Sequence, residues 1–407
     1  MTRLGDVADM LVGFAFKSAG FLDAEADGVR ILRGDNVQQG YIRWGDKTKK
    51  WPTAQCDELE RYQLAEDDVI LAMDRPIVGD GLKMAWIRPE DLPALLVQRV
   101  CRLRGKPGVA LTNFIRYVLA APDFSAHIHR ITTGANIPHI SGKDIAAYEF
   151  ELPDLDGQAR IVKCLSAYDD LITTNQRRIA LLEDTARRLY REWFVHLRFP
   201  SHESVPVKDG VPEGWAKLPL GDVAEITMGQ SPESKYYNTD GDGLPFHQGV
   251  SDFGHRFVKH ETYTKQATRI AEAGDILCSV RAPVGRLNFT RDKIAIGRGL
   301  SAMRSRTGHQ SLLFYQLDAL FVEEDMIGGG AIFASVGKKE LFGQLILQPS
   351  TSIATTFNRL VSDLDLQIEN LDSQNQELAK ARDLLLPKLM SGQLDVSGIA
   401  LPDEVAA

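Results

Sequence analysis

Leu4-Gly5-Asp6-Val7-Ala8-Asp9 returns later in the same chain as Leu220-Gly221-Asp222-Val223-Ala224-Glu225. The echo continues outward from these openings. Val69-Ile70-Leu71-Ala72-Met73-Asp74-Arg75-Pro76-Ile77-Val78-Gly79 is answered by Asp275-Ile276-Leu277-Cys278-Ser279-Val280-Arg281-Ala282-Pro283-Val284-Gly285. Each is an apolar run, then an arginine, then a proline turn that ends in glycine, so Arg75 is set against Arg281. Gly134 to Lys143 is echoed by Gly329 to Lys338, and Glu151-Leu152-Pro153 by Leu347-Gln348-Pro349. The offset is 216 residues from Leu4 to Leu220 and 196 from Pro153 to Pro349, a drift expected of loops that differ in length. A chain that reads twice is expected to fold twice.

Within each copy, short apolar runs punctuated by Gly, Pro, Asn and Asp predict a β-rich globular part. A long helical segment follows. In the first, Ile161, Leu165, Tyr168, Ile172, Asn175, Ile179, Leu182, Ala186, Leu189 and Trp193 step by four and three. In the second, Phe357, Val361, Leu364, Ile368, Leu371, Asn375, Leu378, Arg382, Leu385 and Leu389 do the same. This is the apolar stripe of a coiled coil. A helix of about 38 residues is about 57 Å long, too long to be buried in a small domain, so the two are expected to pair with each other. Asp156 and Ser350 are plausible N-caps, and Pro387 should end or kink the second helix.

Asn175 and Asn375 set the direction of that pairing. A parallel alignment by the repeat buries two unmatched amides, which is costly. An antiparallel alignment sets Asn175 opposite Asn375 and gives every other seam position a partner, with Ile161 on Leu389, Tyr168 on Arg382 and Trp193 on Phe357. The expected fold is therefore α+β: two similar β-rich domains, two long antiparallel coiled-coil helices, and approximate twofold symmetry. The boundaries read as a first domain at 1–153, a helix at 154–198, a linker at 199–214 broken by Pro200, Pro206 and Pro212, a second domain at 215–349, a helix at 350–392 and a tail at 393–407.

The composition is that of an ordinary soluble chain, with 25% charged and 44% hydrophobic residues in 407. The formal net charge of -8 argues against a uniformly basic nucleic-acid binder. Any DNA-binding face must be local, or shared with partners. The four cysteines, Cys56, Cys101, Cys164 and Cys278, are not neighbours and read as reduced buried thiols, which suits a cytoplasm. The first ten residues do not read as a signal peptide, and no apolar run is long enough to span a membrane.

Basic residues are unevenly placed. Arg281, Arg286, Arg291, Lys293, Arg298, Arg304 and Arg306 crowd one stretch, and Arg99, Arg102, Arg104 and Lys106 form the related cluster in the first copy. Arg43, Lys47, Lys49 and Lys50 surround Trp44 and Trp51. Such runs are often only solvated faces, but they also neutralise phosphates. Arginine suits guanine, and asparagine or glutamine suits adenine. Arg33, Asn36, Gln38 and Gln39 offer such a set in the first copy, and Gln230, His247, Gln248 and Arg281 in the second. Each of these equally suits a turn or a cap. Asn136, in the glycine turn Thr133-Gly134-Ala135-Asn136, and the turn Gly328-Gly329-Gly330 would let backbone approach a phosphate. No phosphate loop, His-Glu-x-x-His helix or metal-nuclease carboxylate cluster is present, and the Asn/Asp-Pro-Pro-aromatic signature of amino-methyltransferases is missing.

In this order the motifs resemble the specificity subunits of type I restriction–modification enzymes. The Leu-Gly-Asp-Val-Ala openings resemble the family's domain starts. Thr133 to Pro153 with Gln158 and Ile161 resembles its passage into a spacer helix. Arg191-Glu192-Trp193-Phe194-Val195, then Val211-Pro212-Glu213-Gly214-Trp215, resembles its inter-repeat linker, and Leu386-Pro387-Lys388-Leu389 its second helix end. The second copy departs at Phe333-Ala334-Ser335, and Gln158 has no counterpart near Ile353. The resemblance implies two target-recognition domains that each read half of a split site in double-stranded DNA, with the helices as a ruler and no catalysis or cofactor in this chain. It implies two methyltransferase subunits that bind S-adenosylmethionine and methylate adenine, and nuclease/translocase subunits that use ATP and Mg, without a membrane. The DNA-contact candidates are then Arg33, Asn36, Gln38, Arg43, Lys49, Arg75, Asn136, Gln230, His247, Gln248, Arg281 and Arg298. The competing reading is a scaffold that binds no nucleic acid, with two β-rich ligand-binding domains on a coiled coil, and the acidic net charge is its support.

Overall fold

The computed structural model of the chain describes residues 1–45, 48–79, 81–132, 138–322, 335–396 and 398. The chain divides into two units, Met1–Thr174 with Gln374–Ala407, and Asn175–Ser373. The boundary falls inside both long helices rather than at their ends, because each globular part packs against the nearer stretches of both.

In unit 1 the frame is six strands: β1 (Ala8–Val12), β2 (Val29–Leu32), β3 (Val69–Ala72), β4 (Met84–Trp86), β5 (Ala94–Leu96) and β6 (Val100–Gly105). β1, β6, β3 and β4 form an antiparallel sheet in that order. β2 pairs in parallel with β5 and antiparallel with Lys49–Trp51. All four residues of β3 are buried, as an unbroken apolar run requires when both sheet faces are covered.

Unit 2 repeats the frame with β7 (Ala224–Met228), β8 (Leu244–His247), β9 (Ile276–Ser279), β10 (Leu287–Phe289), β11 (Ile294–Ile296) and β12 (Leu300–Ser305). The sheet order is β7, β12, β9, β10, and β8 pairs in parallel with β11. The register repeats too. Val100 faces Ala72 as Leu300 faces Ser279. Val12 faces Cys101 as Met228 faces Ser301. Leu32 faces Leu96 as His247 faces Ile296.

This register corrects one expectation. Counting on from Ala72 and Ser279, the residue equivalent to Arg281 is Asp74, not Arg75. The bridges Asp74–His139 and Arg281–Ser335 show the same equivalence. Arg75 is one residue further on, with a left-handed φ of 45°.

The basic runs are also largely spent inside the units. Arg104 pairs with both oxygens of Asp68, whose carboxylate also accepts the Ala65 N–H at 2.8 Å. Arg304 pairs with Asp275 at 2.6 Å, whose carboxylate accepts the Glu272 N–H at 2.8 Å. The recurring arginine clusters thus recur partly as a structural ion pair. Arg102 is bound to Asp9, Arg306 lies 3.5 Å from Glu225, and Arg291 reaches Glu369 and Asp372.

The helices are α1 (Thr112–Ala120), α2 (Pro122–Thr132), α3 (Leu155–Tyr190), α4 (Gln310–Val322) and α5 (Thr351–Met390). Asp154, not Asp156, caps α3, because its Oδ1 accepts the Gly157 N–H at 2.8 Å. Ser350 flanks α5, with its hydroxyl on Ser352 rather than on a backbone amide. α5 continues through Pro387 to Met390. Gln158 is fully buried and ties the start of α3 to the start of α1: it accepts the Leu111 N–H and donates to the Val109 and Pro153 carbonyls.

The helices run antiparallel. In unit 1, Ile161 and Leu165 of α3 share a core with Leu385, Leu386 and Leu389 of α5. In unit 2, Ile179 and Leu182 cluster with Ile368 and Leu371, and the Trp193 ring lies 5.7 Å from Phe357. Arg382 reaches Asp169 at 2.6 Å rather than the neighbouring Tyr168. Asn175, in unit 2, is buried, and in unit 1 the Asn375 Oδ1 is buried without a hydrogen-bond partner among the described residues.

Each globular part is latched to a helix by a buried tyrosine. Tyr117 of α1 donates to Asp169 of α3 at 2.8 Å, and Tyr315 of α4 donates to Asp365 of α5 at 3.1 Å. Burial pushes both phenols up, so they remain donors. Arg116 also reaches Asp169 while stacked 3.3 Å over the Trp86 ring, and Arg256 reaches Asp365 in unit 2. Replacing Asp169 with Ala leaves Arg116 and Tyr117 buried without their acceptor. The expected cost is on the order of 3–5 kcal/mol, read from urea denaturation. A loss below about 1 kcal/mol would show that the latch is not what secures this interface.

Candidate nucleic-acid interface

In both units the turns at the ends of β1, β2, β3 and β5, or of β7, β8, β9 and β11, meet along one edge. Backbone contacts too close for a side chain make that possible. In unit 2, Gly229 donates to the Leu300 carbonyl, Gln230 to Ile296, Gly299 to Gln248, and Val280 to Gly299, all at 2.9–3.1 Å. A Cβ on Gly229 would stand 2.1 Å from the Gly297 oxygen, and one on Gly299 would stand 2.4 Å from the Gln248 oxygen. Unit 1 repeats the pattern: Gly13 donates to Val100, Phe14 to Leu96, and Met73 to Arg99. A Cβ on Gly13 would meet the Val97 oxygen at 2.3 Å.

The backbone of this edge is shared by the two units, but its side chains are not. Position by position the register sets Phe14 against Gln230, Arg33 against Gln248, Asp74 against Arg281, and Gln98 against Arg298. It also sets Arg99 against Gly299 and His139 against Ser335.

In unit 2 this gathers four of the five candidates. Gln230, Gln248, Arg281 and Arg298 are all exposed on the edge. Among the described residues, the Arg281 and Arg298 guanidinium groups have no carboxylate partner. His247 is a correction. It is fully buried, its Nδ1 lies 3.0 Å from Asp252 and its Nε2 lies 2.9 Å from His260, so it supports the turn from behind. His260 in turn reaches Asp292 at 3.0 Å.

Unit 1 is more mixed. Arg43 and Arg75 are exposed. Arg33 is held by Asp35 at 2.5 Å, and Lys49, on the strand beside β2, is held by Asp23 at 2.5 Å. Gln38 has its amide nitrogen on the Asp35 and Val37 carbonyls and is half-buried. Asn36 is a correction, being 5% exposed with its Oδ1 on the Arg33 N–H and its Nδ2 on the Arg43 carbonyl. It builds the loop and has no free amide edge to offer a base. Asn136, Lys47 and the glycine turns at 133–136 and 328–330 lie outside the described residues.

Lys83, Asp74, Arg99 and His139, absent from the candidate set, belong here. Burial pushes the Lys83 ammonium below its ordinary value; Asp35 and Asp74 oppose the shift, and Arg43 and Arg75 add to it. Lys83 therefore sits amid the charged groups of this edge. Asp74 accepts from Arg99 at 2.7 Å and lies 2.6 Å from His139 Nδ1. Burial raises the Asp74 carboxyl, but Arg99 and His139 outweigh it and hold the group below its ordinary 3.8. The stabilisation from a lowered carboxyl is present above its unfolded value and is lost only as the pH falls through the folded one. The contact is therefore intact at neutral pH.

The edge should be intolerant at the glycines in close backbone contact and tolerant at an uncrowded one. Gly229→Ala drives a methyl into the Gly297 carbonyl and should cost at least about 1–3 kcal/mol. Gly249→Ala meets nothing within 4 Å and should stay within about 0.5 kcal/mol of the parent. Thermal unfolding of the two variants checks this, and equal losses would mean that the close backbone approach does not hold the edge together.

A family model described as the type I restriction modification DNA specificity domain matches residues 1–184. The chain is 31% identical over 267 residues to the putative type I restriction enzyme MjaX specificity subunit of Methanocaldococcus jannaschii, covering 64% of this chain and 63% of that one. It is 36% identical over 174 residues to the type I restriction enzyme EcoAI specificity subunit of Escherichia coli, covering 42% of this chain and 28% of that one. The matched regions thus span less than two thirds of either relative. The crystal structure of a type I restriction–modification system S subunit from M. genitalium shares the fold at 15% identity, with a TM-score of 0.56 over 95% of both chains. Residues 1–184 thus match a type I restriction–modification DNA specificity domain, and the chain is similar over part of its length to the specificity subunits of such enzymes.

Proposed function

We propose that this chain reads a bipartite site in double-stranded DNA, with one globular domain on each half, and performs no chemistry itself. The observation that carries this reading is the edge on which one backbone frame presents two different sets of exposed polar side chains. A pair of purely structural domains has no reason to keep the frame and vary the edge. Recognition of two different base sequences requires it, because donors and acceptors at base edges are what specify sequence.

The two long helices act as the spacer between half-sites and as the surface for catalytic partners. Leu181 and Leu384 are 67% and 68% exposed on them, and Leu171 and Leu366 more than half exposed. These apolar positions are offered to two methyltransferase subunits, which carry S-adenosylmethionine and extrude the target adenine. Nuclease/translocase subunits that use ATP and Mg complete the assembly. No helix among the described residues is long and apolar enough to cross a membrane.

Two measurements test this reading. The chain with its methyltransferase partner should bind DNA with an affinity that falls steeply with salt, by a slope of about 0.9 per neutralised phosphate. Adenine methylation mapped across a host genome should then fall in a split sequence, and exchanging residues 1–153 for another such domain should change one half only. Binding that is insensitive to salt, or methylation without a split site, would favour the scaffold reading instead.

A further inference from the structure

In unit 1 the best-placed guanidinium on the candidate edge is Arg99. Its Nη1 is held by Asp74 Oδ2 at 2.7 Å, while the other carboxylate oxygen lies 2.6 Å from His139 Nδ1. The carboxylate is thus fixed at both ends, and it fixes the arginine. The Arg99 side chain nevertheless remains 63% exposed. Asp74 occupies only Nη1, and the paired Nε–H and Nη2–H donors of this exposed side chain have no partner among the described residues. That pair is the fork that matches the O6 and N7 of guanine. Arg99 also adopts φ 66°, a left-handed conformation unfavourable to a residue with a side chain. Such strain persists where the surrounding structure holds it, and here the Asp74 pair does so.

Unit 2 delivers its guanidinium differently. The position equivalent to Arg99 is Gly299, where a Cβ would stand 2.4 Å from the Gln248 oxygen, so no arginine fits. The arginine comes instead from the position of Asp74, as Arg281, which is exposed and has no carboxylate partner among the described residues. One edge, built twice, carries an arginine both times, from adjacent strands of the frame.

We propose that Arg99 is the guanine-reading residue of the first domain, that Asp74 is its positioning residue, and that Arg281 reads guanine in the second domain without such a brace. This rests on the DNA-reading role proposed above. Pinning removes the freedom that a long side chain otherwise loses on contact, so discrimination in the first half depends on a residue that touches no base.

The test is methylation of a library in which both half-sites are randomised, by the chain assembled with its methyltransferase partner. Arg99→Ala should lower the preference for guanine at one position of one half by on the order of tenfold to a hundredfold. Asp74→Asn should relax the same position, Asp74→Glu should restore part of the preference, and the other half should be unchanged in all three. Arg281→Ala should relax one position in the opposite half only. Thermal unfolding of Arg281→Ala should match the parent, and a small loss of stability in the Arg99 and Asp74 variants, which break an ion pair, should leave the preference of the opposite half unchanged. If Arg99→Ala lowers methylation uniformly with the preference intact, Arg99 is a phosphate contact and the proposal fails. If Asp74→Asn keeps full preference while Arg99→Ala loses it, the positioning role fails. A parent complex with no base preference in either half would overturn the DNA-reading role itself.

Discussion

A buried carboxylate on each long helix holds the globular part beside it. Asp169 takes the Tyr117 hydroxyl, the Arg116 guanidinium and Arg382 from the second helix. Asp365 takes Tyr315 and Arg256, and Arg256 also approaches Glu183. A hydrophobic contact alone lets two surfaces slide, because apolar burial has no direction. An ion pair that loses several kcal/mol when one partner is displaced does not. The polar centre therefore fixes the attitude of the edge to its helix, which the apolar packing around it does not do alone.

The latch also separates what is constant from what varies. Asp68–Arg104 and Asp275–Arg304 tie the same two strands of each frame, and Tyr117 and Tyr315 seat the same helix in each. Turn residues at the strand ends carry no such duty. Phe14 can become Gln230, and Gln98 can become Arg298, while Gly13 and Gly229 keep the backbone closed. The frame can therefore stay the same while the side chains on its edge change.

Much of the architecture was legible because the repeat and the heptads are local patterns. The directions of α3 and α5 followed from a seam whose partners, such as Ile179 with Leu371 and Trp193 with Phe357, could be counted along the chain. The edge was only half legible. Gln230, Gln248, Arg281 and Arg298 are brought together, yet Asn36 and His247 turned out to be buried supports. Their residue types suit either role, and only the contacts that bury them decide. The sequence echo sets Arg75 against Arg281, like against like, whereas the sheet register aligns Asp74 with Arg281. Arg99 and Asp74 are 25 residues apart and meet only through strand pairing, so no spacing rule could have joined them.

The same distinction resolves the acidic net charge. A total of -8 counts every carboxylate equally, but the carboxylates are not equally available to a polyanion. Asp68, Asp169, Asp275 and Asp365 are consumed by interior ion pairs, and the arginines they hold are consumed with them. What DNA would meet is the remainder on the edge, where Arg281 and Arg298 have no carboxylate partner among the described residues and Arg99 is braced rather than neutralised at its remaining donors. Coulomb forces between exposed charges fade beyond about 10 Å at moderate salt. A distant acidic surface therefore subtracts little from a local cationic edge, and the sign of the whole chain is a poor guide to the sign of the place that matters.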